Sequence, residues 1–219
     1  MLGGDFQAQN EAMWCYFTLE DAMPPPPGLE LSRRGLRVPV GERPVVLRAF
    51  LTDVGARAIA VGMPSGLHFA FDAGSARLVD AWKGDFLDAS GAWTGRGGTE
   101  LDGLGPRVWS APPGPLLARA DPGAKAAHFE GYELDHEGLP TFLWSLDGAW
   151  VHETIRTALA PRPRLTRELC IAGLKPGSVL RLQAGPAAKL EHLAGAREGA
   201  GDTLEVLAPE VTFTLEVLP

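Results

Sequence analysis

Trp82, Trp93 and Trp109 fall in one stretch rich in glycine and proline, and Asp80, Asp85, Asp88 and Arg96 are interleaved with them. Indole faces stack on the apolar C–H faces of a sugar ring, while carboxylates and a guanidinium hydrogen-bond its hydroxyls. Trp82, Asp85, Trp93, Arg96 and Trp109 are therefore the candidate ligand-binding residues. They predict a shallow, aromatic-lined surface. The same residue types also fit a structural role, because tryptophans beside glycine-rich turns can plug the end of a sandwich while nearby carboxylates are solvated.

Acid–base chemistry is the second possibility. Glycoside cleavage needs two carboxyl groups, one of them kept protonated by an apolar setting. Asp72, Asp85, Glu130 and Glu153 lie beside aromatic or apolar neighbours and are the candidates. Sequence fixes no distance between them, so no catalytic residue is assigned. His68, His128, His136, His152 and His192 are scattered. His68 and Asp72 stand four apart on an expected strand, where they would share a face and could bind a metal or set a tautomer. A third ligand is missing, so no metal site is expected, and a satisfied core histidine is the simpler reading. His136, in D-H-E-G, reads as a turn residue. The glycine-rich run from Trp93 to Gly98 matches neither phosphate-cradle pattern and lacks their strand-then-helix setting. A nucleophile elbow of the G-x-S-x-G type is also missing. No cofactor is expected.

Short strands must position these residues. Leu36 to Val40, Pro44 to Leu51 and Arg57 to Gly62 read as strands, the last built of small residues. Leu67 to Asp72 and Ala76 to Trp82 predict a hairpin around residues 72–75. Gly84 to Pro115 reads as a long loop region or a set of very short strands. A second series begins at Ala127, with Asp147-Gly148 as a strong hairpin turn. It continues through Trp150 to Ala158, Leu165 to Ala172, Ser178 to Ala184, Lys189 to Leu193 and Thr203 to Leu207. In Val211 to Val217, the side chains of Val211, Phe213, Leu215 and Val217 share one face. Ala187 to Glu198 has some helix propensity, weakened by Gly195. More than ten short strands predict an all-β protein, an antiparallel β-sandwich with long Gly/Pro/Trp-rich loops, of which a supersandwich-like arrangement is one form. Residues 1–28, with one expected strand at Met13 to Leu19 and the run Pro24 to Pro27, form an N-terminal arm and stiff linker. Residues 29–219 form the sandwich domain.

The totals exclude some partners. With 219 residues, 45% of them hydrophobic, the chain can bury a sizeable core. A net charge of −7, with Lys and Arg scattered, supplies no basic stripe for nucleic acid or an anionic membrane surface. No apolar run is long enough to span a bilayer. The N-terminus has neither a basic n-region nor a hydrophobic h-region. That fits either a cytoplasmic protein or a sequence that begins after a removed leader. Cys15 and Cys170 both sit among apolar residues and are read as buried thiols, or alternatively as one long-range disulfide.

The run R-A-I-A-V-G-M-P-S-G-L-H-F-A-F-D, then A-W-K-G-D-F-L-D and W-T-G-R-G, resembles a β-rich accessory domain of large exported bacterial proteins. Those proteins also contain c-type cytochrome or sugar-dehydrogenase-like modules. F-E-G-Y-E-L-D-H-E-G-L-P-T-F-L-W-S-L-D-G-A-W-V-H-E looks like the second half of the same domain, so the resemblance covers about Arg43 to Ala172. It implies a periplasmic or extracellular setting and a redox or carbohydrate context. It carries over no catalytic residues. The leading expectation is a non-catalytic β-domain that binds a ligand, with a carbohydrate or a protein as partner. A sugar-acting hydrolase or epimerase with paired carboxylates, and a structural subunit of a larger assembly, are the alternatives.

Overall fold

In the computed structural model, the described residues are 31–32, 35–93, 100–120, 123 and 125–218. The expected N-terminal arm, the prolines at 24–27, Cys15 and Arg96 lie outside them. The fold is all-β, a sandwich-like stack of four antiparallel sheets.

The middle layer has five strands in the order β3-β4-β5-β6-β9. They are β3 (Val45–Leu51), β4 (Gly55–Gly62), β5 (Leu67–Asp72), β6 (Arg77–Lys83) and β9 (Arg107–Ser110). Through the large core this layer packs with a six-stranded and a four-stranded sheet. The larger runs β11-β12-β13-β14-β19-β16: β11 (His128–Leu134), β12 (Pro140–Leu146), β13 (Ala149–Ala158), β14 (Arg164–Ala172), β19 (Glu210–Val217) and β16 (Ala188–Ala194). The smaller runs β10-β15-β18-β17: β10 (Leu117–Arg119), β15 (Val179–Leu182), β18 (Thr203–Val206) and β17 (Ala196–Glu198). The other side of the middle layer carries a small sheet of β1 (Leu31–Ser32), β2 (Gly35–Val38), β7 (Leu87–Asp88) and β8 (Asp102–Gly103). One helical turn, α1 (Ser90–Trp93), follows β7.

Two-sided burial explains why β4, β5 and β6 read as nearly continuous apolar runs. A strand covered on one face alternates, whereas one covered on both faces does not. Ile59, Val61, Leu67, Phe69, Phe71 and Leu78 point into the large core against the six-stranded sheet. Ala58, Ala60, Ala70 and Trp82 point the other way, into a second cluster with Phe86, Leu87 and Leu101. Three alanines on that face let the covering layer come close. The six-stranded sheet is covered on its inner face only, and β19 alternates cleanly: Val211, Phe213, Leu215 and Val217 are buried.

Phe142 on β12 joins the two main layers. Its ring stacks on Phe71 with centroids 4.0 Å apart and planes within 4°, and Phe69 meets it edge-on at 6.4 Å. The hairpin of β12 and β13 turns at Asp147-Gly148, where both residues have positive φ (49° and 88°), the conformation that favours Gly at the second position. The expected β5–β6 hairpin also forms, its turn held by Asp72 accepting from the Gly74 and Ser75 amides. The stretch 187–198 forms two strands rather than a helix, because β16 serves the sheet edge beside β19 and β17 pairs with β18.

One ion pair is sealed within the large core. Glu153 is fully buried and Arg167 is 3% exposed. Arg167 Nε donates to Glu153 Oε1 at 2.7 Å. Glu153 Oε2 has no hydrogen-bond partner among the described residues. Taking away one member of such a pair strands the other charge in an apolar medium. Arg167→Met alone is expected to cost about 3–5 kcal/mol of unfolding free energy, and Glu153→Leu with Arg167→Met to recover most of it. Urea denaturation of both variants checks this; a double variant no more stable than the single would contradict it. Phe142→Ala should cost about 3–5 kcal/mol in the same measurement, because the cavity it leaves lies between two rigid sheets.

Candidate functional site

Trp82 lies near the end of β6, on the face opposite the large core. The chain turns at Gly84 and brings Phe86 back over the indole. The two rings are parallel within 2°, centroids 6.0 Å apart, and Trp82 Nε1–H donates to the Phe86 carbonyl at 2.8 Å. His68, from the neighbouring strand β5, completes the cluster, with ring centroids 5.9 Å from Trp82 and 5.4 Å from Phe86. Its Nδ1 accepts the Met63 amide N–H at 3.0 Å, which makes Nε2 the protonated nitrogen, donating to Gly84 O at 2.9 Å. Burial holds the His68 pKa below the ordinary imidazole value, against opposing effects of that hydrogen bond and of the Asp85 charge.

Beside Trp82 is a cavity of about 260 Å³. Its polar lining comes from three places. Asp80 precedes Trp82 by two residues on the same face of β6. Arg107 is the cross-strand partner of Trp82 on β9. Asp53 sits in the β3–β4 turn, in the left-handed region at φ 64°. Arg107 Nη2 contacts Asp53 Oδ2 at 2.8 Å and Asp80 Oδ2 at 3.2 Å. Asp80 Oδ1 accepts from Ser110 Oγ at 2.6 Å. Asp80 is buried, whereas Arg107 and Asp53 are largely open to solvent. The hydrogen bond to Asp53, followed by the charge of Asp80, raises the Arg107 pKa further above its ordinary value. Asp102 also lines the cavity, so three carboxylates face one guanidinium and the lining is net negative. Gly103 packs against the indole: a Cβ there would fall 2.9 Å from Trp82 Cε2. The ring face is therefore covered.

The sequence candidates separate. Trp82 lines this cavity. Asp85 borders a different one of about 460 Å³, where it pairs with Arg37 at 2.6 Å over a lining that includes Val38, Val40, Met63, His68 and Phe86. Trp109 sits one residue out of step with Trp82: its partner on β6 is Ala81, and it packs against the large core. Neighbouring positions on a strand face opposite sides. The expected aromatic surface shared by Trp82 and Trp109 is thus replaced by two indoles on opposite faces of one sheet. The backbone of Trp93 closes α1, and Arg96 lies outside the described residues.

The four candidate carboxylates stay on separate elements. Asp72 holds its turn, Glu130 accepts from Ser145, Asp85 pairs with Arg37, and Glu153 is sealed in the core. Asp88 caps α1, accepting from the Ser90 and Leu36 amides. His68 and Asp72 keep the same phase on β5, with Ala70 between them, but each is engaged by other partners. Asp53, Asp102 and Arg107 were not singled out by sequence. The useful signal was the pairing of Arg107 with Trp82, which depends on β9 joining β6 across the intervening loop. Among the described residues, no group of three His, Cys, Asp or Glu is arranged to hold a metal, and no helix is long and apolar enough to cross a membrane. Cys170 is a free thiol on the outer face of the six-stranded sheet, 3.7 Å from Glu210 Oε1.

No protein-family model, no curated protein and no solved structure matches this chain.

The depressed His68 pKa has a definite sign. The unfolded chain takes up a proton on this imidazole near pH 6.5, while the folded one resists until lower pH. Stability that is full above pH 6.5 should therefore decline as pH falls from there through the folded-state value. His68→Gln should flatten that part of the curve in denaturation measured between pH 7 and 5. An unchanged slope would show that other groups dominate it.

Proposed function

We propose that this is a non-catalytic binding domain whose ligand is a small, hydroxyl-rich molecule, neutral or cationic, of about monosaccharide size. The arrangement of Asp53, Arg107 and Asp80 around a concave surface carries this reading. Carboxylates accept and a guanidinium donates, so the set offers both kinds of partner to vicinal hydroxyls. Its geometry is fixed in advance, because Arg107 is shared between two carboxylates and Asp80 is further held by Ser110. Preorganisation of this kind reduces the ordering cost of binding. The net negative lining disfavours phosphates and sugar acids. The volume, about 260 Å³, lies just under the usual range of ~300–1,000 Å³ for ligand clefts, which also suggests a small occupant.

Recognition is favoured over hydrolysis by the setting of Asp80. Glycoside cleavage asks for one carboxyl in apolar surroundings. Here the buried carboxylate is engaged by a hydroxyl and a guanidinium.

Calorimetric titration against neutral monosaccharides, amino sugars and sugar acids tests the reading. Saturable binding is expected for the first two groups and not for the acids. Arg107→Gln should weaken it by roughly tenfold or more, as expected for loss of a charged hydrogen bond of ~1.5–3 kcal/mol. Its circular dichroism should be unchanged, because Arg107 is solvent-exposed. Preferential binding of sugar acids, or wild-type affinity in Arg107→Gln, would sink the reading.

A further inference from the structure

A separate concavity of about 380 Å³ opens at one end of the sandwich, between β3–β4 and β11. Arg48, Arg57 and His128 line it together with Ile59, Ala73 and Phe129. Arg48 and Arg57 lie on neighbouring strands. Arg48 is paired with Ile59, and Arg57 precedes Ile59 by two, so both share its face. Both are exposed.

Their placement side by side over one concavity distinguishes them. Arg37, Arg107, Arg119, Arg156, Arg164, Arg167 and Arg197 all form ion pairs in this acidic chain. Neither Arg48 nor Arg57 forms one among the described residues. The nearby acids are engaged elsewhere: Asp72 with the Gly74 and Ser75 amides, and Glu130 with Ser145 and His128. Arg48 is nevertheless held in place. Its Cζ sits 5.5 Å above the centroid of the Tyr132 ring, which in turn packs on Phe142 in the core. A cation–π contact orients the guanidinium without using its N–H donors.

We propose that this concavity is a binding site for a small organic acid, its oxyanion taken by Arg48 and Arg57 and its apolar body laid against Phe129, Ala73 and Ile59. Two guanidiniums with donors to spare suit an oxyanion, and the aromatic and aliphatic walls suit a ring or short chain. The site is opposite in charge to the cavity beside Trp82 and shares no lining residue with it.

Benzoate, benzamide and phenyl phosphate serve as probes, with binding followed by calorimetry and by amide chemical shifts. Benzoate should bind saturably and more weakly as salt rises, with shifts confined to β3, β4 and β11. Phenyl phosphate should occupy the same site; the tighter of the two acids identifies the preferred oxyanion. Benzamide, isosteric but neutral, should bind at least about tenfold more weakly. Arg57→Gln and Arg48→Met should each lose about tenfold for the acids, and Tyr132→Leu should weaken them by releasing Arg48. Arg107→Gln should leave acid binding unchanged. Equal affinity for benzoate and benzamide, undiminished acid binding in both arginine variants, or no saturable binding of either acid would overturn the proposal.

Discussion

The architecture depends on a middle sheet that is apolar on both faces. β4, β5 and β6 cannot be left half-solvated, so a second layer must lie on each side of them. Size settles which layer goes where. The face with Ile59, Phe69 and Phe71 meets the large six-stranded sheet through the Phe71–Phe142 stack. The face with Ala58, Ala60 and Ala70 leaves a thinner gap, closed by a small sheet and by the returning segments around Phe86 and Leu101. Polar chemistry is thereby driven to the borders, where strands end and the layers no longer cover one another.

The charges follow from the same constraint. Seven arginines find a carboxylate among the described residues, and what differs is how much water remains around the pair. Exposed pairs such as Arg197–Glu205 add little stability. Glu153–Arg167 is dry, and the six-stranded sheet can keep it only while both members are present. Asp80–Arg107–Asp53 is intermediate, with a buried anchor and an open rim, and groups of that kind can exchange solvent for a ligand. Arg48 and Arg57 stand apart from all of these because the acids beside them are engaged with backbone amides and hydroxyls.

Local sequence determined a great deal here. The period-two pattern of Val211 to Val217, the Asp147-Gly148 turn, the hairpin around residues 72–75 and the dense series of short strands all express preferences that act over a few residues. Those preferences are enough to define an antiparallel all-β protein. They also marked Trp82 and its neighbourhood as a place where aromatic and charged groups gather. Only the tertiary structure decided what they gather into. The order β3-β4-β5-β6-β9 puts Arg107 beside Trp82 and sends Trp109 to the opposite face, a one-residue difference with no local signature. Likewise Glu153 falls in phase with Val151 and Ile155, and only β14 shows why a carboxylate can stand there, by bringing Arg167 to it. Strand identity is fixed by side-chain alternation within the chain, but a site is fixed by register between strands far apart in it. Register is set by the packing of whole layers, which no short stretch of sequence encodes.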